Sequence, residues 1–383
     1  MTATPGIDAV LALAREDIRA LDPYKNASWE PGFIRLHANE SPWPPALDVA
    51  RDDTGGDGVR GDGGRDDAAI DVVSGDADAL HRYPQPQPPE LLSALAAAWG
   101  VAPEQVLVGR GSDEAIDLLT RAFCDARIDT VIVCPPTFGM YAVAARIQGA
   151  AVRRVPLDAS RGFALDVAGL RAAIDAGAKL VWLCTPNNPT GSVLAPADIE
   201  AVLEAAAGRA LVVIDEAYAE FTDGPSWTRR IVRWPGLATL RTLSKAHALA
   251  GARMGAVVAA PEVIALLRRI VPPYAVPGPT LRASLGAMRP AALTVTARRI
   301  ALLRSERERL SVRLRALSSV ARVWPSAANF LLVEFQDAAD ALERLRAAGV
   351  LVRDFRGYDG LAQALRLTVG SPDQNDRMLE VLS

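Results

Sequence analysis

The sequence predicts an α/β protein with a mainly parallel β-sheet. Three observations predict this fold: short apolar runs recur through the middle of the chain, segments with helical spacing separate them, and polar loops directly follow several runs. Parallel strands are buried on both faces, so they appear as continuous apolar runs, and helices usually connect them. Seven strands are predicted, at residues 106–108, 130–134, 151–155, 180–184, 211–214, 238–242 and 255–259.

The helices of this sheet are predicted from apolar residues that recur every three or four positions. Open parallel sheets bind their ligands at the carboxyl ends of the strands, so a site is expected in the loops that follow the strands. Four helices are predicted between the strands, at residues 113–124, 141–148, 167–176 and 196–206.

A smaller α/β domain is predicted after Pro261, where the alternation gives way to a long helical stretch at residues 291–318. We expect an N-terminal arm at residues 1–45, with a helix at 8–19 that packs on the small domain. Residues 46–260 then form the large, cofactor-binding domain, and residues 261–383 the linking helix and the small domain. Its predicted elements are strands at 330–335, 350–352 and 365–369 and a helix at 337–348.

Composition argues against several classes of protein. The formal net charge is −3, so no basic surface for nucleic acid is expected. No apolar run is long enough for a membrane span, and residues 1–10 lack the pattern of a secretory signal. The three cysteines are not closely paired, which favours a reducing compartment, and the three histidines lack metal-ligand spacing. We therefore expect a cytoplasmic protein that acts on small molecules without a metal.

One segment differs from the rest of the chain. Residues 51–79 contain three arginines and nine aspartates, so their formal charge is −6, and they contain no aromatic residue. Such a segment cannot bury enough apolar surface to order itself, so we predict a flexible surface insertion. A regulated lid is the alternative, because long loops sometimes close over sites.

The first candidate catalytic residue is Lys245, which closely follows the predicted strand at residues 238–242. A lysine amine can form a Schiff base with an aldehyde cofactor. Ser244 beside it and Arg253, eight residues later, can hold a phosphate on the same cofactor. Taken alone, a Ser-Lys pair is usually only a surface turn.

The second candidate is Asp215, at the carboxyl end of the strand at residues 211–214. A carboxylate there can pair with a protonated pyridine nitrogen and make the ring an electron sink. Tyr218 follows three residues later and can hydrogen-bond a ring hydroxyl. The simpler alternative is an aspartate that caps a strand–helix junction.

Three further loops follow strands of the same sheet. Residues 185–191, Thr-Pro-Asn-Asn-Pro-Thr-Gly, form a tight loop that can hold an asparagine against the ring oxygen. Gly111, Ser112 and Asp113 precede or begin a helix whose N-terminus can bind a phosphate. Phe138, in the loop at residues 136–141, can stack on a flat ring. Each loop alone could be ordinary turn, cap or core chemistry, but five loops at successive strand ends can converge on one cleft.

These motifs resemble the fold-type I, pyridoxal-phosphate-dependent aminotransferases and, within them, the histidinol-phosphate aminotransferase family. The lysine loop, Asp-Glu-Ala-Tyr at residues 215–218 and Pro-Asn-Asn-Pro-Thr-Gly at residues 186–191 are specific for the fold and cofactor. The resemblance covers nearly the whole chain. It extends to residues 13–19, 23–24, 37–40, 82–84, 328–330, 352–354 and 365–370. The ranges most specific for the histidinol-phosphate branch are 13–19, 23–24, 352–354 and 365–370.

The resemblance implies pyridoxal 5′-phosphate as cofactor, a homodimer with shared active sites, and three catalytic residues: Lys245, Asp215 and Tyr218. Lys245 would carry the cofactor and Asp215 would pair with its ring nitrogen. By the same resemblance, Asn188 and Tyr218 would hold the ring oxygen and Phe138 would stack on the ring. The cofactor phosphate would be bound by Gly111, Ser112, Asp113, Ser244 and Arg253, and Tyr83 would reach the phosphate in the neighbouring subunit. The residues expected near the substrate anions are Tyr24, Asn39, Arg353 and Arg366.

The implied reaction converts L-histidinol phosphate and 2-oxoglutarate to imidazole acetol-phosphate and L-glutamate in histidine biosynthesis. The sequence departs from the family at residues 51–79, where relatives are usually shorter, and at Phe138, where many have tyrosine. The alternatives are an aromatic-amino-acid aminotransferase, a phosphothreonine decarboxylase of the same fold, and a regulatory module without catalysis.

Overall fold

The computed structural model describes residue 30, residues 32–47 and residues 83–383. The predicted N-terminal helix, Tyr24 and the segment at residues 51–79 lie outside these ranges. The strands of the described residues are β1 (Ile34–Leu36), β2 (Val106–Gly109), β3 (Thr130–Val133), β4 (Ala151–Arg154), β5 (Leu180–Cys184), β6 (Leu211–Asp215), β7 (Leu237–Thr242), β8 (Gly255–Val258), β9 (Val320–Val323), β10 (Phe330–Phe335), β11 (Val350–Asp354) and β12 (Ala364–Thr368).

The helices of the same ranges often begin with a proline in the first turn, where its fixed φ fits and its missing N–H is not needed. The helices are α1 (Pro89–Trp99), α2 (Ser112–Phe123), α3 (Met140–Gln148), α4 (Val167–Asp175), α5 (Pro196–Ala206), α6 (Pro261–Leu267), α7 (Gly278–Ala287), α8 (Pro290–Arg315), α9 (Ala338–Ala347) and α10 (Pro372–Leu382). None of these helices combines the length and the apolar character that a membrane span requires.

Within the described residues, the larger sheet has seven strands in the order β2-β8-β7-β6-β5-β3-β4. All neighbouring pairs are parallel except the two that involve β8, which runs antiparallel to β2 and β7. The predicted α/β fold with a mainly parallel seven-stranded sheet is therefore confirmed, and every predicted strand of this sheet is correct to within one residue at each end.

Both faces of this sheet are covered, as its apolar strands require. Along β6, Val212 and Ile214 pack into one core together with α1, α4 and α5. Leu211 and Val213 point to the opposite face and pack with α2 and α3. Because alternate residues of a strand face opposite sides, a strand buried on both sides must be apolar at every position.

The smaller sheet, as far as the described part of the chain shows, has five strands in the order β1-β11-β12-β10-β9. Only the pair of β1 and β11 is parallel. The predictions missed β1 and β9: β1 has three residues, and the edge strand β9 exposes Ala321 and Arg322. The predicted helix at residues 291–318 ends three residues early, at Arg315, because the chain turns there into β9.

The two sheets pack against each other and share their cores. Leu332 and Ala364 of the smaller sheet join the core beneath the larger one. Conversely, Tyr218 and Phe221, which follow β6, pack into the core of the smaller sheet. The carboxyl end of β6 therefore lies against the smaller sheet. The division of the chain at residues 45 and 260 remains a prediction.

Gly255 provides a test of how the larger sheet positions the N-terminus of α2. A Cβ atom on Gly255 would lie 2.4 Å from the carbonyl carbon of Gly111 and 2.5 Å from the backbone nitrogen of Ser112. We expect Gly255→Ala to lower the free energy of unfolding by about 1–3 kcal/mol, the usual cost of overpacking, as measured by urea denaturation.

The matched control is Gly251→Ala, because a Cβ atom on Gly251 meets nothing within 4 Å. It should change the free energy of unfolding by no more than about 0.5 kcal/mol. Equal stability of the two variants would contradict the close contact between β8 and the start of α2.

Candidate active site

A cavity of about 440 Å³ lies where the carboxyl ends of the larger sheet's strands meet the smaller sheet. All five loops that the sequence analysis selected contribute to its wall. Within the described residues, the predicted site residues that line it are Ser112, Asp113, Phe138, Asn188, Asp215, Tyr218, Ser244, Lys245 and Arg253 from the larger sheet's side, and Asn39, Arg353 and Arg366 from the other.

Lys245 lies within this cavity and is partly buried. Its Nζ donates a hydrogen bond to the carbonyl oxygen of Ala38 at 3.0 Å and lies 6.0 Å from the centroid of the Tyr218 ring. Burial lowers the pKa of Lys245 to about 8, and the positive charge of Arg366 contributes in the same direction. The amine is therefore closer to its neutral, nucleophilic form than an ordinary lysine.

Asp215 ends β6 and is only 4% exposed. Its Oδ2 accepts a hydrogen bond from the Tyr141 hydroxyl at 2.6 Å, and its Oδ1 accepts one from the backbone N–H of Ala217 at 3.0 Å. Burial raises the pKa of Asp215 to about 6, although both hydrogen bonds act against this rise. A cation inside the cavity would therefore stabilise the ionised form of this carboxylate.

The start of α2 presents to the cavity a helix N-terminus, a kind of group that can bind an anion. Gly111 precedes the helix with φ +85, and no side chain caps the first turn. Backbone N–H groups at a helix N-terminus attract anions. Arg253 lies beside them, since its Nη2 donates to Oδ2 of Asp113 at 3.1 Å. At φ +85 the backbone of Gly111 has a conformation that residues with a Cβ atom rarely adopt, so glycine is favoured there.

Asn188 and Tyr218 are joined to the smaller sheet by hydrogen bonds. Arg366 donates through Nη1 to Oδ1 of Asn188 at 2.5 Å. Asn39 donates through Nδ2 to the Tyr218 hydroxyl at 3.0 Å and accepts from Thr368 at 2.9 Å. The preceding Asn187 instead forms hydrogen bonds with loops of the larger sheet: with Thr137 and the carbonyl of Pro136 after β3, and with Thr190 in its own loop.

Arg353 and Arg366 are directly paired across the antiparallel strands β11 and β12. Like charges at paired positions of a sheet destabilise it. Both residues line the cavity that contains Lys245. The arrangement therefore suits an anionic ligand that both guanidinium groups can share.

Phe138 lines the cavity, and the buried Tyr141 packs directly against it. The Phe138 ring meets Tyr141 edge to face, with centroids 5.6 Å apart, and Tyr141 stacks in parallel on Trp182 at 4.9 Å. Sequence reasoning missed Tyr141, although it lies in the loop selected for Phe138. The available signal was a second aromatic residue three positions later, and its link to Asp215 becomes visible only in the fold.

Two predicted residues of the described part of the chain, Gly111 and Tyr83, are not among those that line this cavity. Tyr83 is 80% exposed and stacks on Tyr274, with ring centroids 4.5 Å apart, outside the lining of its own chain's cavity. Tyr24 lies outside the described residues.

The remaining groups fit pyridoxal phosphate. A buried carboxylate, a lysine of lowered pKa and an uncapped helix N-terminus with an arginine lie around a single cavity. These are the partners of a ring nitrogen, an aldehyde and a phosphate.

Comparison with known proteins identifies the family of the chain. The model of the family "Aminotransferase class I and II" matches residues 65–382. The histidinol-phosphate aminotransferase of Xylella fastidiosa strain 9a5c is 48% identical over 385 residues, which cover 100% of this chain and 97% of that protein. The enzyme of the same name from Xanthomonas axonopodis pv. citri is 49% identical over 378 residues, which cover 98% and 97%.

Solved structures share the fold. The histidinol-phosphate aminotransferase of Sinorhizobium meliloti in complex with pyridoxal-5′-phosphate superposes with a TM-score of 0.81 at 22% identity, covering 97% of this chain and 96% of that one. The L-threonine-O-3-phosphate decarboxylase of Porphyromonas gingivalis superposes with a TM-score of 0.68 at 25% identity, covering 80% and 90%. Together with the family model and the full-length relatives, this shows that the chain belongs to the class I and II aminotransferases, which are pyridoxal-phosphate enzymes.

Proposed function

We propose that this aminotransferase acts on L-histidinol phosphate and 2-oxoglutarate, giving imidazole acetol-phosphate and L-glutamate in histidine biosynthesis. The observation that carries the proposal is the pairing of Arg353 with Arg366 beside Lys245. One substrate ends in a phosphate and the other in carboxylates, and guanidinium groups bind both kinds of anion. The similarity to the Xylella and Xanthomonas enzymes along the whole chain supports the same substrates.

In the proposed mechanism, Lys245 is the general base. Pyridoxal phosphate, when bound, supplies the aldehyde that takes up the amino group and a ring that withdraws electrons from the substrate α-carbon. Nζ of Lys245 removes the proton from that carbon, a task that its lowered pKa of about 8 favours. The Asp215 carboxylate holds a proton at the ring nitrogen.

The other side chains orient the two ligands. Tyr218 accepts a hydrogen bond from Asn39 and can still donate its own proton to the ring oxygen. Asn188 supports the same oxygen. Phe138 provides a stacking surface for the ring, without the hydroxyl that a tyrosine would add. The phosphate would be held by Gly111, Ser112 and Asp113 through the start of α2, and by Ser244 and Arg253.

We further propose a cytoplasmic homodimer in which Tyr83 reaches the phosphate in the partner subunit. The exposed position of Tyr83 outside its own cavity supports this role. The three cysteines are free and buried, which fits a reducing compartment.

The substrate proposal predicts a clear preference for the phosphorylated donor. With 2-oxoglutarate as acceptor, kcat/KM for histidinol phosphate should exceed that for phenylalanine by at least about 100-fold, because a phosphate offers the guanidinium groups more negative charge and more acceptor oxygens than a single carboxylate does. Steady-state kinetics should show a ping-pong pattern, since both substrates use one site in turn.

Two controls complete this experiment. Lys245→Ala should lose at least about 100-fold in rate with every donor. Release of carbon dioxide from O-phosphothreonine at a comparable rate would instead support a decarboxylase like the Porphyromonas gingivalis enzyme, and a preference for phenylalanine would support an aromatic-amino-acid aminotransferase.

The lowered pKa of Lys245 predicts how the cofactor-free protein captures pyridoxal phosphate. Only the neutral amine reacts, and a lysine with a lowered pKa is neutral above about pH 8. The capture rate, followed by visible absorption, should therefore rise with pH and reach half its maximum near pH 8. Arg366→Met removes a neighbouring positive charge and should move the midpoint to higher pH. A midpoint above pH 10 in the unaltered protein would contradict the lowered pKa.

The shared site predicts complementation between two defective variants. In a hybrid dimer of Lys245→Ala and Tyr83→Phe subunits, one site receives both intact residues if Tyr83 acts across the interface. The hybrid should then bind pyridoxal phosphate at one site with the affinity of the unaltered enzyme and regain up to half of its activity. A hybrid no better than the Tyr83→Phe homodimer would place Tyr83 in its own subunit's site.

A further inference from the structure

Tyr141 makes a buried contact with Asp215 that the proposed mechanism has not used. Its side chain is 0% exposed, and its hydroxyl donates to Oδ2 of Asp215 at 2.6 Å. The two residues lie 74 positions apart, on α3 and β6. The parallel stack on Trp182, with an interplanar angle of 2°, fixes the plane of the Tyr141 ring.

The two donors to Asp215 divide its oxygens between them. Tyr141 binds Oδ2, and the backbone N–H of Ala217 binds Oδ1. A carboxylate with one donor on each oxygen cannot rotate about its Cβ–Cγ bond without losing a hydrogen bond. Because both donors are uncharged, they orient the carboxylate and leave its negative charge in place for a cation in the cavity.

The remaining neighbours of Asp215 disfavour its ionised form. The charges of Asp113 on α2 and Glu216 on the adjoining loop, together with burial, all raise its pKa. Cys184 on β5 is also close, but burial and Asp215 raise the pKa of its thiol, so it remains protonated. The Tyr141 hydroxyl remains protonated for the same two reasons and stays a donor. Among the described residues, the Tyr141 hydroxyl and the N–H of Ala217 thus favour a charged Asp215.

We propose that Tyr141 is a positioning residue that keeps Asp215 ionised and directed at the ring nitrogen of the cofactor. This inference rests on the proposed role of Asp215 in holding that nitrogen. Tyr141 itself touches neither the substrate nor the reacting atoms. It acts through one hydrogen bond, so its effect should depend on the presence of a ring nitrogen.

The test compares Tyr141→Phe with the unaltered protein in binding two ligands: pyridoxal phosphate and its analogue in which carbon replaces the ring nitrogen. Phenylalanine keeps the ring on Trp182 and removes only the hydroxyl. We expect the variant to bind pyridoxal phosphate roughly 10-fold more weakly, the effect of losing about one hydrogen bond to a charged group. The affinity for the analogue should be unchanged, as measured by equilibrium dialysis.

The pH dependence of binding gives a second measurement. As the pH falls, Asp215 takes up a proton and pyridoxal phosphate should bind more weakly. A lost donor raises the pKa of a carboxylate. In Tyr141→Phe this weakening should therefore begin at a higher pH than in the unaltered protein, where the pKa of Asp215 is about 6. The matched control is Ser284→Ala, which removes a buried hydroxyl that donates to the carbonyl of Thr280 within α7. It should change neither affinity nor this midpoint.

Asp215→Asn separates the two possible failures. If Asp215→Asn weakens pyridoxal phosphate but not the analogue, the proposed role of Asp215 stands. Equal losses for both ligands in Tyr141→Phe would then overturn the inference about Tyr141 alone. If Asp215→Asn itself fails to distinguish the ligands, the proposed role of Asp215 is wrong and the inference about Tyr141 falls with it.

Discussion

The burial of one carboxylate is the constraint on which the site depends. Asp215 ends a central strand, with β5 on one side and β7 on the other, and is almost inaccessible to water. A buried charge without a charged partner is costly, and hydrogen bonds from neutral donors offset only part of that cost. The fold therefore contains a negative group that a cation in the cavity would stabilise, which is why a protonated ring nitrogen suits this position.

The smaller sheet presents positive charges to the cavity, whereas the larger sheet presents the negative charge of Asp215. It pairs Arg353 with Arg366 across neighbouring strands, an arrangement that repulsion disfavours and that the negative charge of a bound anion would favour. Lys245 lines the same cavity, and burial together with Arg366 lowers its pKa. The cavity thus combines a negative wall, a positive wall and a reactive amine.

The shared cores explain how these walls keep their spacing. Tyr218 follows the central strand of the larger sheet but packs into the core of the smaller one, and the hydrogen bonds from Asn39 to Tyr218 and from Arg366 to Asn188 join the same two parts. The packing of the two cores and these hydrogen bonds hold Asp215 and the arginines on opposite sheets at a defined spacing. Packing far from the cavity and chemistry within it are coupled through these few contacts.

The sequence by itself determined the parallel sheet, its strands and the five loops, because burial on both faces and tight turns leave local patterns of apolar, proline and glycine residues. It also selected Lys245, Asp215 and Asn188 through their place at strand ends and through the family resemblance. The tertiary structure decided what no local pattern encodes. The short strands β1 and β9 depend on their partners rather than on their own residues. The bond from Tyr141 to Asp215 and the pairing of Arg353 with Arg366 join positions that only strand order and register bring together.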